Sequence, residues 1–281
     1  MKPAEYLVGR ASARAKISVL SSGMTADGVV VYLVEDGATT VLQVSPAAFP
    51  KVVREQTEKI DEAHEALPYD LARHIAGPIK QWEINGVSCA LFEKFTPISH
   101  AKLKQRFQLR KLRAPVLSWL RKIAEVDRGP SVQANHCLQA LVECPYDKLQ
   151  EAAKVALDRV SCNLFTPRAR VMHGDMTCGN VMLDPTRARE FIVIDWRGSN
   201  VNGFPIFDLV KFAETVDLEP RVLRSELAAH AERLACELTD TRSYLVAALG
   251  YIWLNLEQFP AERFARMAER NLETLNAALH G

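Results

Sequence analysis

The sequence predicts an α+β fold in which a β-rich N-terminal lobe, residues 1–95, is followed by a larger and mostly helical lobe, residues 96–281. Three observations carry that reading. Runs of β-branched residues punctuated by turn residues fill the stretch from Lys16 to Ser45. Apolar residues between Pro50 and Leu67 recur at helical spacing, and beyond Pro97 the helical pattern dominates, broken once between Arg170 and Trp196. A chain of 281 residues with 48% apolar and 25% charged residues has the composition of a folded globular protein, which excludes disordered, collagenous and coiled-coil chains. Its length suffices for one large domain or two lobes over a shared core.

The elements follow in order. Ile17 to Leu20 leads through Ser21-Ser22-Gly23 to the run Val29 to Val34, and Asp36-Gly37 separates that run from Thr39 to Val44. An Asp-Gly pair between two β-branched runs is a hairpin signal, because glycine supplies the positive φ of a tight turn. A three-stranded antiparallel meander is therefore predicted. Val53, Ile60, Ala63 and Leu67, set among Glu55, Glu58, Glu62 and Glu65, predict an amphipathic helix. Two strands, Pro78 to Glu83 and Ser88 to Phe95, flank Asn85-Gly86, a second hairpin signal. Helices are then expected over Lys102 to Arg113, Val116 to Val126, Pro145 to Val160, and repeatedly after Phe207. Asn180 to Leu183 and Phe191 to Ile194, around Asp184-Pro185, read as a small hairpin within the helical lobe.

Charge and cysteine usage exclude further classes. Lys and Arg total 35 against 34 Asp and Glu, so the net charge of +1 gives no global reason to expect nucleic acid. The six cysteines form no Cys-x-x-Cys pair and no cluster at zinc-ligand spacing, which predicts free thiols and a reducing, cytoplasmic setting. Lys2, Glu5, Arg10, Arg14 and Lys16 interrupt the first twenty residues, so a signal peptide is not expected. The charge-free stretch from Ser243 to Leu256 is shorter than a spanning helix of about 20 residues and reads as a buried core helix.

The most informative stretch runs His173-Gly174-Asp175-Met176-Thr177-Cys178-Gly179-Asn180, followed after the expected hairpin by Ile194-Asp195-Trp196. It resembles the aminoglycoside phosphotransferase and choline kinase family, relatives of the protein kinases, whose catalytic loop has the form His-x-Asp-x-x-x-x-Asn and whose metal-binding Asp follows a short hairpin. Gly203-Phe204-Pro205-Ile206-Phe207-Asp208-Leu209 looks like the same family's Gly-x-Pro-x-x-Asp-Leu segment. The resemblance implies a bilobal, protein kinase-like fold and phosphoryl transfer from ATP or GTP to a hydroxyl of a sugar, amino sugar or amino alcohol. It implies Asp175 as catalytic base, Asn180 and Asp195 as ligands of Mg²⁺, and His173 and Asp208 as structural supports of the loop. The residue types suit that chemistry, since an amide oxygen and a carboxylate are hard ligands of the kind Mg²⁺ prefers. As a residue type at a helix start, Asp208 also fits an N-cap.

In the first lobe the resemblance places Ser22 and Gly23 in the loop that covers the phosphates, and Glu93 and Phe95 in the linker whose backbone holds the base. It places Glu55 opposite the position that normally carries a phosphate-binding lysine, and that position is Gln43. Three outcomes stand open. Gln43 suffices with help from the metal; another cation such as Lys16 or Lys51 takes over; or the protein is a pseudokinase that binds without efficient catalysis. Transfer of AMP is a further variant compatible with an altered lysine. Finally, Lys102 to Lys122 holds eight basic residues and no acidic one, with Lys102, Arg106, Arg110 and Arg113 on one helical face. That face is expected either to be merely solvated or to meet an anionic glycan or a membrane surface.

Overall fold

The computed structural model describes residues 16–22, 28–99, 101–184, 186, 190–257 and 259–281. Strands β1 (Lys16–Ser22), β2 (Val30–Asp36), β3 (Ala38–Val44), β4 (Pro78–Ile84) and β5 (Val87–Glu93) form one antiparallel sheet in the order β1-β2-β3-β5-β4. The two predicted turns have the required backbone: Gly37 lies at φ +74°, and Asn85 and Gly86 lie at +51° and +77°. The register sets Val31, Gln43 and Ala90 directly opposite one another across β2, β3 and β5. Side chains alternate along each strand, so these three share a face. On the other face Tyr32, Val34, Leu42, Val44 and Cys89 make a separate small core.

Helix α1 (Val52–Ala66) packs on the Gln43 face through Val53 and Ile60. Its own N-cap, Lys51, makes no side-chain cap bond. The sheet supplies the cap instead: Val53 N donates to Ser45 Oγ at 2.9 Å and Arg54 N to Ser88 Oγ at 3.2 Å, while the two hydroxyls meet at 2.7 Å. First-turn amides that would otherwise be orphaned thus fix the helix to β3 and to the strand beside it. Thr57, completely buried, adds a bond to Gln81 Oε1 on β4 at 2.5 Å.

The chain then makes helix α2 (Tyr69–Ala72) and returns to β4 through residues 73–77. This connector is clamped to the second half of the molecule. Ala76 N donates to Val193 O at 3.0 Å, Val193 N donates to His74 O at 2.7 Å, and the His74 ring stacks on Phe191 with centroids 4.4 Å apart. After β5, strand β6 (Thr96–Pro97) pairs with β8 (Val181–Leu183), which pairs with β9 (Ile192–Val193). The embedded hairpin expected from the sequence is therefore one edge of a three-stranded sheet. Pro185, in the turn of that hairpin, lies outside the described residues.

One correction concerns the two helices expected over Lys102 to Arg113 and Val116 to Val126, between which Pro115 stands. Helix α3 runs unbroken from Lys102 to Glu125. Proline removes a single backbone donor, and the carbonyl freed four residues earlier belongs to Lys111, an exposed residue. Leu112, Val116, Trp119, Leu120 and Ile123 form one buried stripe across the proline, and their packing keeps the helix whole. Helix α4 (Ala134–Val142) was not expected, and α5 (Asp147–Ser161) follows it. Strand β7 (Arg170–Met172) pairs with β10 (Asn200–Gly203). Four helices close the fold: α6 (Ile206–Thr215), α7 (Pro220–Arg233), α8 (Asp240–Leu254) and α9 (Ala261–His280). The charge-free stretch lies mostly in α8, buried from Ser243 to Gly250. A Cβ on Gly250 would meet the Cys137 carbonyl oxygen at 2.0 Å, so α4 and α8 touch backbone to backbone. Among the described residues no helix is long and apolar enough to cross a membrane, and all six cysteines are free thiols.

The serine cap gives a test of how α1 is held. Ser88→Ala leaves Arg54 N and Ser45 Oγ without their shared partner, and is expected to lower the unfolding free energy by about 1–3 kcal/mol in urea titration.

Candidate active site

The site is assembled on one turn, His173-Gly174-Asp175, that leaves the end of β7. Two backbone amides in this turn point at a single buried carboxylate: His173 N donates to Asp208 Oδ2 at 2.6 Å and Gly174 N to Oδ1 at 2.9 Å. Asp208 lies in the first turn of α6, three residues into the helix, so it is not an N-cap. Burial pushes its carboxyl up to about 7, against the opposing pull of the two amides. The turn needs glycine at 174. Its φ is +84°, and an added Cβ would sit 2.2 Å from the Gly198 carbonyl oxygen.

His173 is buried beneath the turn. Asp175 N donates to His173 Nδ1 at 3.2 Å, so the ring proton is on Nε2, which donates to Ile194 O at 2.9 Å. Burial lowers its pKa to about 4, which keeps it neutral. The imidazole thereby ties the Asp175 backbone to the residue immediately before Asp195. The ring also meets Trp196 edge to face at 4.8 Å. Behind it, Trp119 contacts both Trp196 and Phe191, completing an aromatic column from the connector at His74 to the turn.

Asn180 closes the loop. Its Nδ2 donates to Asp175 O at 2.8 Å and to Asp175 Oδ2 at 3.2 Å, while Asn180 O accepts Ile194 N at 3.0 Å. The amide nitrogen is thus turned to Asp175, which leaves the amide oxygen as the group available to a cation. Asp195 comes to the same place across the backbone bond and holds a left-handed φ of +64°. A non-glycine residue held there signals a backbone the surroundings over-determine. Asp175 is exposed as a residue, yet enough protein surrounds its carboxyl to hinder solvation of the charged form. Burial raises its carboxyl above the ordinary value, opposed by the positive charge of Lys211 and by the Asn180 bond.

Sequence reasoning missed Lys211 and Thr215. Asp208, Lys211 and Thr215 are spaced three and then four residues apart on α6, and therefore share one face. The outer two bind the loop: Asp208 takes the amides of residues 173 and 174, and Thr215 Oγ1 accepts Cys178 N at 2.9 Å. Lys211 lies between them along the helix, near enough for its positive charge to act on Asp175. The readable signal was this spacing, once Asp208 had been placed. Cys178 is partly buried against the core beside that bond.

The remaining candidates are dispersed. Gln43 lies on the sheet face that carries α1, and its Oε1 is buried without a hydrogen-bond partner. Glu55 is exposed and does not pair with it; Glu55 lines a cleft of about 360 Å³ with Lys51, Arg197 and Glu257. Within that cleft Arg197 is ion-paired with Glu257. Lys16 pairs with Glu35 at 3.7 Å on the exposed end of the meander, four residues along β2 from the strand partner of Gln43. About 13 Å of strand separates the two positions, which removes Lys16 as a substitute. Glu93 and Phe95 line a cavity of about 420 Å³ with His64, Arg73, Ile75 and Pro78, whose lining does not include the turn 173–175. Ser22 ends β1, and Gly23 lies outside the described residues.

Residues 16–245 match the family described as the phosphotransferase enzyme family. The fold matches a thermostable mutant of the aminoglycoside phosphotransferase APH(4)-Ia with a TM-score of 0.56 and 15% identity, over 95% of this chain and 96% of that one. It matches the Plasmodium vivax ethanolamine kinase with a TM-score of 0.53 and 11% identity, over 93% and 81% of the two chains. It also matches the aminoglycoside phosphotransferase APH(3'')-Id of Streptomyces rimosus, in complex with ADP and streptomycin, with a TM-score of 0.50 and 15% identity, over 82% and 94%. No curated protein sequence matches the chain.

The neutral, buried histidines make stability pH-dependent in a defined direction. Burial also lowers His230 to about 4. As pH falls below about 6.5 the unfolded chain takes up protons at both positions while the folded chain does not, so stability drops until about pH 4. Asp208, raised to about 7, binds its proton first in the folded state and opposes this loss. His230→Gln removes one proton from the linkage. The slope of urea unfolding free energy between pH 6.5 and 4.5 is then expected to fall by about 1 kcal/mol per pH unit relative to the wild type.

Proposed function

The chain belongs to the phosphotransferase enzyme family, with a protein kinase-like α+β fold and a hydroxyl group as acceptor, and from that premise we propose how it works. The enzyme moves the γ-phosphoryl of ATP or GTP to a hydroxyl of a sugar, amino sugar or amino alcohol. Residues 1–95 bind the nucleotide, and residues 96–281 supply catalysis and the acceptor pocket. The observation that carries this reading is that Asn180 bonds Asp175 through Nδ2 while its backbone carbonyl accepts Ile194 N, the residue immediately before Asp195. ADP and streptomycin in the Streptomyces rimosus enzyme support a nucleotide and a hydroxylated small molecule as the two substrates.

In this mechanism Asp175 takes the proton of the acceptor hydroxyl as the oxygen attacks phosphorus. Its raised proton affinity suits a base. Asn180 both orients Asp175 through Nδ2 and offers Oδ1 to Mg²⁺, and Asp195 offers a carboxylate. These donors fit a Mg²⁺ ion, which takes one or two protein oxygens and completes its shell with phosphate and water. When bound, the ion neutralises charge on the transferring phosphoryl group. Lys211 brings a positive charge to the same spot from α6, where it holds Asp175 ionised and attracts the phosphate. Gln43 Oε1 is buried without a partner, and in this reading it is the Nε2 amide of Gln43 that donates to the nucleotide in place of the family's lysine. Ser22, Glu55 and the linker residues Glu93 and Phe95 are assigned to the nucleotide by the family resemblance alone, since Glu55 lines one cavity and Glu93 and Phe95 another. No observation favours a non-catalytic role.

The experiment is release of ADP or GDP in the presence of Mg²⁺ and a panel of hydroxylated metabolites. Asp175→Asn is expected to lower kcat by at least about 100-fold while nucleotide binding persists. Gln43→Lys is expected to lower the nucleotide KM by about tenfold, because a charged donor replaces a neutral one. Release of AMP, or of no product at all by the wild type, would sink the reading. For Lys211 the diagnostic is a pH profile. Removing its charge in Lys211→Met raises the pKa of Asp175, so the acidic limb of kcat/KM moves to higher pH, and Lys211→Arg restores it.

A further inference from the structure

Helix α3 begins well outside the body of the protein. None of its residues from Lys102 to Lys111 is buried, and the buried stripe starts only at Leu112. Two large apolar side chains on this extension face water, Leu103 at 84% and Phe107 at 60% exposure. They are one helical turn apart. Arg106 and Arg110 flank them on one side and Lys104 and Lys111 on the other, opposite the face on which Leu109 and Leu112 meet the core. Lys111 covers the Phe107 ring with its ammonium 4.5 Å from the centroid.

The charges are placed against helix preference. The first turn has no acidic residue and no side-chain cap, yet it carries Lys102 and Lys104 at the positive end of the helix dipole. Among the described residues none of Lys102, Lys104, Arg106, Arg110 and Lys111 is ion-paired with a carboxylate, whereas Arg121 further along pairs with Glu226 at 3.3 Å. Arg113, expected on the same basic face, is turned inward and donates to Val216 O at 3.0 Å. The basic cluster is thereby confined to the projecting part of the helix, with Leu103 and Phe107 at its centre.

We propose that residues 102–111 of α3 dock the enzyme on an anionic lipid surface. Leu103 and Phe107 enter the boundary between headgroups and acyl chains, and the five surrounding cations meet lipid phosphates. A soluble polyanion, glycan or nucleic acid, is served by the cations alone and gives Leu103 nothing to bury against. A lipid interface satisfies both halves of the pattern at once, and the negative surface also relieves the crowding of positive charge at the helix start. The inference is independent of the catalytic reading and survives its failure.

The test is flotation of the whole protein with vesicles of phosphatidylcholine alone and of phosphatidylcholine carrying about one-third phosphatidylglycerol. Binding to the anionic vesicles only, reversed by salt, is expected. Leu103→Ser with Phe107→Ser, and separately Arg106→Glu with Arg110→Glu, should each weaken that binding by at least about tenfold. All four side chains are exposed, so circular dichroism and the thermal midpoint of both variants should match the wild type. Absence of flotation, or equal flotation with neutral vesicles, overturns the proposal. So does an apolar-to-serine pair that binds vesicles as the wild type does, and retention on heparin without vesicle binding assigns the surface to a soluble polyanion instead.

Discussion

The carboxylate of Asp208 is the fixed point to which the rest of the site is referred. It is buried, it receives two neighbouring amides from a turn that has no regular secondary structure of its own, and it stands on a helix whose remaining face is embedded in the core. A turn of this kind has few internal restraints, and its conformation is set by whichever partner meets its donors. With one oxygen to each amide, the carboxylate fixes the direction in which the next peptide leaves, and that peptide carries Asp175. Every subsequent contact presupposes this direction, including the His173 bridge to Ile194 and the Asn180 bonds to Asp175.

The second determinant is how the sheet-bearing half is joined to the helical half. Covalently the halves are linked through the short stretch after β5, but the connector before β4 supplies a second attachment through its bonds to Val193 and the stacking of His74 on Phe191. The strand so gripped runs directly into Asp195. Through Trp119, Trp196 and His173 the same aromatic column reaches the turn that carries Asp175. The loop carrying Asp195 and the sheet that carries Gln43 are thus referenced to one another by packing.

What the sequence disclosed follows from the range of the interactions concerned. The meander, both glycine turns, α1 and the buried character of α8 were legible because periodicity and turn chemistry are local. The loop residues 173, 175, 180 and 195 were legible as a spacing that resembles a known family. The serine pair that caps α1 was not, since Ser45 and Ser88 lie 43 residues apart and neither stands at an N-cap. Pro115 misled for the complementary reason: its local penalty was visible, whereas the buried stripe that outweighs it required the tertiary structure. Lys211 carries no motif and becomes significant only after Asp208 orients its helix. The exposure of Leu103 and Phe107 was equally hidden, because an apolar residue within a basic helix reads as core until the core is seen to stop short of it.

The contact between Gly174 and Gly198 bears on what change the site tolerates. Most of the interactions described above are graded: a bond lengthens, a charge weakens, a neighbour shifts. Here two backbones meet where any carbon at position 174 would fall inside the van der Waals radius of a carbonyl oxygen that is itself part of the chain leading away from Asp195. The loop bearing Asp175 and the loop bearing Asp195 are brought together by the absence of matter at one position. Chemical tuning of the active site can therefore proceed through its polar groups in small steps, whereas its geometry hangs on a vacancy the size of a methyl group that admits no intermediate.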